Sequence, residues 1–144
     1  MLTGYAPESA LTETTEDHRF ANAIRGGRLW VASTENQIVG FVLVEMLADD
    51  LPHLEEIDVE PSHGRRGLGG ALVRTACEWA QASGYSLLTL TTFRGVPFNA
   101  PFYARMGFME MPRETLRPEL AAVVAEEAHR GLDPDTRVVM GYRC

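Results

Sequence analysis

The feature that most constrains the fold is a regular apolar stripe directly after a glycine-rich turn. Four apolar residues recur at offsets of 4, 8 and 11, the spacing of one helical face: Leu68, Leu72, Ala76 and Trp79. Gly84 ends this helix, because glycine readily takes the left-handed conformation that closes helices. Upstream, residues 53–59 alternate in polarity and predict a strand, which Pro61 interrupts. A strand, a glycine turn and a long helix therefore follow one another.

The rest of the chain alternates between strand-like and helix-like segments. Further strands are predicted at residues 28–33, 37–47, 85–91, 108–111 and 137–142. Helices are predicted at residues 14–26 and 117–130, and a short helix opens at Asn99 and closes at Gly107. Glu35-Asn36 has the chemistry of a hairpin turn, and residues 48–52 read as a break. The alternation predicts one α/β (α+β) domain over residues 1–144.

Composition and charge exclude several classes of protein. The 144 residues suit one domain, and 45% hydrophobic residues exclude a disordered chain. Twenty acidic residues against 13 basic ones give a net charge of −7, which argues against a nucleic-acid partner. Apolar runs fall short of the ~20 residues that span a bilayer, and the first residues lack a secretory pattern, so we expect no membrane partner. Two cysteines, Cys77 and Cys144, form no disulfide framework and favour a reducing, cytoplasmic compartment.

The glycine-rich turn, residues 64–70, has the chemistry of an anion-binding site. The first amides of a helix have no intrahelical acceptor, and the helix dipole places positive charge at that end. Glycines let a phosphate approach these amides, and Arg65 and Arg66 add positive charge. A dinucleotide fingerprint would need glycine where Leu72 stands, and a P-loop would need a lysine after the glycines. A tight turn without ligand is the alternative interpretation.

Four motifs in order resemble the GNAT superfamily of N-acetyltransferases: LEEIDVEP, RRGLGGAL, SLLTLTT and NAPFYARMGF. The resemblance covers residues 28–111 and implies a mostly antiparallel sheet flanked by helices, with a splayed strand pair at the cofactor site. It also implies acetyl-CoA as cosubstrate and a primary amine as acceptor. The chain departs from the family pattern at Gly64, where the family usually has Gln or Arg. Its first strand is short or absent, and residues 1–8 would have to provide it.

The resemblance also assigns roles to residues of this chain. Ile57, Asp58 and Val59 would hold the pantetheine arm of the cofactor. The turn would hold the diphosphate through Arg65, Arg66, Gly67, Leu68, Gly69 and Gly70. Asn99 would contact the cofactor near its thiol end, and Tyr103 would protonate the departing thiolate. Tyr103 follows Asn99 by four residues, so both lie on one side of the short helix.

The acceptor amine needs a base, because only a neutral nitrogen attacks a thioester. Neutralising a lysine-type amine at pH 7 costs about 4.6 kcal/mol, whereas an α-amine costs roughly 1 kcal/mol. Relatives recruit this base from the strand before the turn, so Glu55 is the first candidate. Glu56, His53 or a water chain are the alternatives. A solvated carboxylate at a strand end is the structural alternative for Glu55.

Other interpretations carry less weight. A metal site at His53, Glu55, Asp58 and His63 is not expected, because strand alternation separates Asp58 from His53 and Glu55. Five residues are expected in the core: Cys77, Trp30, Trp79, Phe41 and Phe93. Residues 126–135 are expected on a solvated surface.

Arg94 and its loop could hold a substrate carboxylate, and acidic residues could attract a cationic amine: Glu13, Glu16, Asp17, Asp49 and Asp50. A silent acyl-CoA-binding module and a nucleotide- or phosphosugar-binding protein are the rival functions, and a homodimer is possible in either case.

Overall fold

The computed structural model describes residues 2–3, 17–61, 67–96 and 99–144, with the backbone alone at residues 2–3 and 17–19. The strands within these ranges are β1 (Leu2–Thr3), β2 (Leu29–Thr34), β3 (Gln37–Ala48), β4 (Leu51–Val59), β5 (Leu87–Phe93), β6 (Met109–Glu110) and β7 (Arg137–Arg143). The α-helices are α1 (Asp17–Arg25), α2 (Leu68–Ala82), α3 (Ala100–Arg105) and α4 (Pro118–His129).

The chain forms two compact units. The first unit comprises Met1–Glu45 and Leu54–Ser83, and the second comprises Met46–His53 and Gly84–Cys144. The strand order is β1-β2-β3-β4 in the first unit and β4-β5-β7-β6 in the second, since β3 and β4 contribute residues to both. The single domain over residues 1–144 stays a prediction.

In the first unit, helices lie on opposite faces of the strands. Ala23 of α1 packs against Leu29, Val31 and Leu43, which all point to one side. Trp30 points to the other side, where its ring centroid lies 5.5 Å from that of Trp79 in α2. The predicted stripe of α2 supplies the contact, with Leu72 and Ala76 fully buried. Gly67 and Gly84 flank α2 in left-handed conformations, so its predicted bounds are confirmed.

The hairpin between β2 and β3 turns as its residue types predict. Glu35 and Asn36 have φ of 48° and 67°, which are the positive angles of a type I′ turn. β1 pairs antiparallel with β2 through Leu2 and Ala32, so a short first strand is present. The predicted helix over residues 14–26 is described only from Asp17, and it ends at Arg25.

In the second unit, β7 runs antiparallel between β5 and β6, and β4 pairs in parallel with β5 at His53 and Thr89. Leu51, Leu120 and Val139 form a cluster that covers one face with α4. The other strand pairs whose register is described are antiparallel. The predicted α/β class with a mostly antiparallel sheet is therefore confirmed. The splay of the parallel strands stays a prediction. None of the described helices is both long and apolar enough to cross a bilayer.

Three predictions about these segments were wrong. Residues 48–52 are not a break, because β3 runs to Ala48 and β4 begins at Leu51, leaving a two-residue connection. β5 lies two residues later than predicted, because its ladder with β7 extends from Leu87 to Phe93. Phe93 is not a core residue: it lies 37% exposed at the end of β5.

Candidate functional site

The N-terminus of α2 presents backbone amides that no side chain caps. Gly67 is the N-cap residue, in the left-handed conformation with φ of +73°. The amide of Ala71 donates to the carbonyl of Gly67 at 3.1 Å, so the three preceding amides have no acceptor within the helix. Apart from its chain neighbours and the adjacent backbone of α2, no described atom lies within 4 Å of the position that a Cβ would take on Gly69. The predicted phosphate-binding turn therefore has uncapped donors, and no other described part of the chain covers Gly69. Arg65 and Arg66 lie outside the described residues.

β4 carries the residues predicted to hold the pantetheine arm. The amide of Glu60 donates to the carbonyl of Val39 in β3 at 2.8 Å. Backbone groups of successive residues point to opposite edges of a strand, so those of Ile57 and Val59 point away from β3. The backbone of Asp58 points towards β3, where its carbonyl lies 3.0 Å from a Cβ built on Gly40. Ile57 and Val59, two of the three residues predicted to hold the arm, thus have the orientation that backbone contacts need, whereas the backbone of Asp58 does not.

The two glutamates considered as bases, Glu55 and Glu56, are both half-buried in β4. Successive side chains of a strand point to opposite faces, so only one of them can face a given ligand. The orientation of the strand thus separates the first candidate for the base from its alternative.

In the second unit, Asn99 and Tyr103 lie at the start and on the buried side of α3. The side chain of Asn99 does not cap the helix as predicted; its Oδ1 accepts a hydrogen bond from Thr92 Oγ1 at 2.9 Å. The Tyr103 ring packs edge-on against Phe102 and Phe108. Burial raises the pKa of Tyr103, so its phenol stays protonated at neutral pH. Among the described residues, the Tyr103 hydroxyl has no hydrogen-bond partner.

His53 is buried, with its Nδ1 2.8 Å from Thr89 Oγ1. Burial lowers its pKa to about 4, although the charge of Glu127 acts in the opposite direction. The imidazole is therefore neutral at physiological pH. This pKa makes His53 a weak base compared with the amines that it would have to deprotonate.

A largely buried polar cluster, formed by Glu127, Arg137 and Thr91, was not predicted from the sequence. Arg137 donates from Nε to Glu127 Oε1 and from Nη2 to Glu127 Oε2, both at 3.1 Å. Arg137 Nη2 also donates to Thr91 Oγ1 at 3.1 Å, and Thr91 Oγ1 donates to Glu127 Oε2 at 2.5 Å. Burial tends to raise the pKa of Glu127, but these hydrogen bonds, with the charge of Arg137, give a net lowering. The expectation that residues 126–135 form a solvated surface is thus wrong for Glu127.

The sequence did contain a signal for this cluster. Glu127 follows Leu120 by seven residues and Val124 by three, so helical periodicity places it on the apolar face of α4. A carboxylate on such a face needs a buried partner. Arg137 supplies one from the first residue of β7.

Two of the remaining charged candidates, Arg94 and Asp50, are paired at the surface. Arg94 Nη1 lies 3.0 Å from Glu110 Oε1, with both side chains about half exposed. Arg117 binds both carboxylate oxygens of Asp50 at 3.1 Å. Its hydrogen bond is the main reason that the pKa of Asp50 is lowered. Glu13 and Glu16, like the side chain of Asp17, lie outside what the structure describes.

The chain matches one family along most of its length. A sequence model of the Acetyltransferase (GNAT) family matches residues 2–108, which is well over half of the chain. The chain belongs to the GNAT acetyltransferase family. The predicted resemblance is therefore confirmed, and the prediction of an acyltransferase agrees with the description of this family.

Individual relatives agree with this assignment. Human N-acetyltransferase 8 is 32% identical over 113 residues, which are 74% of this GNAT chain and 49% of that protein. The chain thus spans about half the length of this relative. The structure of N-acetylglutamate synthase from Neisseria gonorrhoeae, complexed with coenzyme A and N-acetyl-glutamate, superposes with a TM-score of 0.72 at 16% identity, covering 99% of this chain and 34% of that one. A Mycobacterium tuberculosis protein in complex with CoA and NLQ gives 0.68 at 18% identity, covering 100% and 99%. These two structures share the fold.

No group of three or more metal-ligating side chains comes together in the described parts of this GNAT chain. His53 and Asp58, two members of the metal site considered from the sequence, do not meet, because His53 is buried and Asp58 is exposed. His63 lies outside the described residues.

Proposed function

We propose that this chain transfers the acetyl group of acetyl-CoA directly to a primary amine. The observation that carries the proposal is the uncapped N-terminus of α2, with Gly67 in the left-handed conformation and open space at Gly69. A diphosphate is a group that such amides can bind, because anions satisfy donors that the helix leaves unpaired. Membership of an acetyltransferase family and the coenzyme A bound to the structural relatives support acetyl-CoA as its carrier.

Different residues of the chain would bind different parts of the cofactor. The amides of Leu68, Gly69 and Gly70 would bind the diphosphate, with Arg65 and Arg66 adding charge. The outward backbone groups of Ile57 and Val59 would bind the amides of the pantetheine arm. Asn99 would donate from Nδ2 near the thiol, because its Oδ1 is already occupied by Thr92. Acetyl-CoA supplies a thioester, whose carbonyl carbon accepts the amine.

Tyr103 is proposed as the general acid. The amine nitrogen forms a bond to the carbonyl carbon, the C–S bond breaks, and the sulfur takes the phenolic proton of Tyr103. Burial raises the pKa of this phenol, so the proton is present at neutral pH but is held more tightly than in an exposed tyrosine. Because a free thiol has a pKa near 8.5, the proton moves uphill, and its transfer accompanies C–S cleavage.

Glu55 is proposed as the base that removes the amine proton, with Glu56 as the alternative. A carboxylate acts on such an amine through its local environment or through a water chain, since its ordinary pKa lies far below that of the amine. His53 is the weaker choice, because its pKa of about 4 gives it no advantage over a carboxylate.

The test compares two tyrosines of one aromatic cluster. Tyr103→Phe removes the proposed acid, and Tyr142→Phe makes the same change beside Phe108. Steady-state acetylation of an amine panel, followed by thiol release, should fall about 10²–10⁴-fold for Tyr103→Phe and stay within twofold for Tyr142→Phe. Calorimetry should find equal acetyl-CoA affinity for all three proteins. If wild type binds acetyl-CoA yet acetylates no amine, the chain is a silent binding module instead.

We propose a cytoplasmic location as well. Cys77 is buried and Cys144 exposed, and neither forms a disulfide, which agrees with a reducing compartment. Fractionation of cells that express the full protein would test it, and recovery with membranes or in the medium would contradict it.

A further inference from the structure

Hydrogen bonds hold the guanidinium of Arg137 in place, but they use only some of its N–H donors. Arginine has five N–H donors. Three of them make the bonds already described: Nε and one Nη2 proton to Glu127, and the other Nη2 proton to Thr91. The two protons of Nη1 have no acceptor among the described residues. The side chain is only 13% exposed, so solvent reaches a small part of it.

The positive end of this ion pair points away from the carboxylate. Glu127 accepts hydrogen bonds from Nε and Nη2, which lie along one edge of the planar guanidinium group. The third nitrogen, Nη1, lies on the side away from the carboxylate. The pair is neutral overall, but Nη1 is its electropositive end. Taking two charges out of water is costly, and an apolar pair in this position would often be equally stable. A function for the free end therefore gives a reason for the pair to be there.

An aromatic ring lies against the guanidinium group of Arg137. The guanidinium carbon of Arg137 sits 4.5 Å from the ring centroid of Phe93, its antiparallel neighbour on β5. Phe93 is 37% exposed, and Val96 in the following loop is 42% exposed. Two donors thus adjoin an accessible apolar surface, an arrangement that fits a ligand with a carboxylate next to an apolar group.

The same strand connects this end to the proposed acid. Thr91 and Phe93 point to the face that carries Arg137, while Thr92 between them points to the opposite face and binds Asn99. Asn99 begins the helix that carries Tyr103. A ligand held by Arg137 is thus one strand residue away from the group that anchors α3, and on the face opposite to it.

We propose that Arg137 Nη1 binds the carboxylate of the acceptor, so that the acceptor is a primary amine bearing a carboxylate, with an apolar group against Phe93. The proposal rests on the proposed acetyl transfer. It replaces the sequence-based candidate for the carboxylate, Arg94. That side chain is half exposed and pairs with Glu110 at the surface, so it lacks the fixed orientation of Arg137.

The experiment measures acetylation of paired amines that differ only in the carboxylate, such as phenylalanine with 2-phenylethylamine and leucine with 3-methylbutylamine. Wild type should have a kcat/KM at least tenfold higher for the carboxylate-bearing member of each pair. Arg137→Lys keeps a charge for Glu127 but lacks Nη1. It should raise KM for the carboxylate-bearing amine at least tenfold, with kcat within threefold, and leave KM for its partner unchanged. Arg94→Lys is the matched control and should change neither value.

A second variant distinguishes loss of carboxylate binding from a folding defect. The double substitution Glu127→Gln with Arg137→Gln removes both charges together, so no lone charge stays buried, and it should abolish the preference for the carboxylate. If wild type acetylates both members equally, or Arg137→Lys weakens both equally, Arg137 is structural and the proposal fails while the acetyl transfer stands. If no amine of any pair is acetylated, the proposed function fails and this inference falls with it.

Discussion

His53 Nδ1 and Thr89 Oγ1 share a hydrogen bond of 2.8 Å at the one parallel pairing described for β4 and β5. Both residues are almost completely buried, at 2% and 0% exposure. A neutral imidazole satisfies this contact without placing a charge in the core, and burial is the main reason that its pKa falls to about 4.

The stability of the protein should therefore depend on pH through His53. Its pKa is about 4 when folded and about 6.5 when unfolded, so between these values the unfolded chain binds a proton that the folded chain does not. The stabilising contribution is fully present above pH 6.5 and is lost as the pH falls towards 4, by up to about 3 kcal/mol. Urea unfolding from pH 7 to 4 should show a smaller decrease for His53→Asn than for wild type. His129→Asn is the control, because it removes an exposed imidazole, and equal pH profiles for wild type and His53→Asn would contradict the prediction.

The order of the elements was predictable because it depends on local chemistry. Gly84 and the Glu35-Asn36 turn need positive φ, and their residue types indicate it. The stripe through Leu72 and Ala76 fixes the buried face of α2. Strand ends were less predictable, because the partner strand decides where a ladder stops: β7 extends β5 to Phe93. The sequence near residue 93 contains no sign of that partner.

Two arginine–glutamate pairs of the second unit should differ strongly in their contribution to stability. Arg137 and Glu127 are 13% and 9% exposed, whereas Arg94 and Glu110 are 51% and 52% exposed. Glu127→Gln leaves a buried guanidinium without its counter-charge and should cost about 3–5 kcal/mol of unfolding free energy. Glu110→Gln should cost less than about 1 kcal/mol, since exposed pairs contribute little. Chemical denaturation of both variants checks this, and similar costs would show that the buried position has no special weight.

The candidate site was predictable only where a motif has a backbone requirement. The glycine turn and the α3 start have such requirements, so Gly67 and Asn99 were located at the correct helix ends. The direction of a polar side chain depends on tertiary neighbours. Asn99 therefore bonds Thr92 instead of capping its helix, and Glu127 pairs with a residue ten positions later in the chain.

Gly69→Ala should separate cofactor binding from stability. The new Cβ meets no described atom within 4 Å, so the substitution should stabilise α2 by about 0.5–1 kcal/mol through lower chain entropy. The same Cβ occupies the space beside the uncapped amides, so acetyl-CoA affinity should fall at least tenfold. Gly84→Ala, at the other end of α2, is the control. Its φ of +87° should make alanine cost about 1–2 kcal/mol without any change in affinity. Thermal unfolding and calorimetry measure both, and unchanged affinity in Gly69→Ala would argue against a diphosphate at this helix end.

Thr92→Val should reveal whether Asn99 acts through a fixed orientation. The substitution preserves the volume of a buried side chain and removes the hydroxyl that donates to Asn99 Oδ1. Loss of one such hydrogen bond should cost about 1 kcal/mol of unfolding free energy. Because the Asn99 amide can then rotate, KM for acetyl-CoA should rise several-fold. Thr75→Val removes a comparable hydroxyl, which donates to the Ala71 carbonyl within α2, and should lower stability without raising KM. A side-chain donor that is free to rotate binds a cofactor less well than a fixed one. If both variants keep the wild-type KM, the hydrogen bond from Thr92 therefore only anchors α3. The cofactor contact proposed for Asn99 would then lose its support.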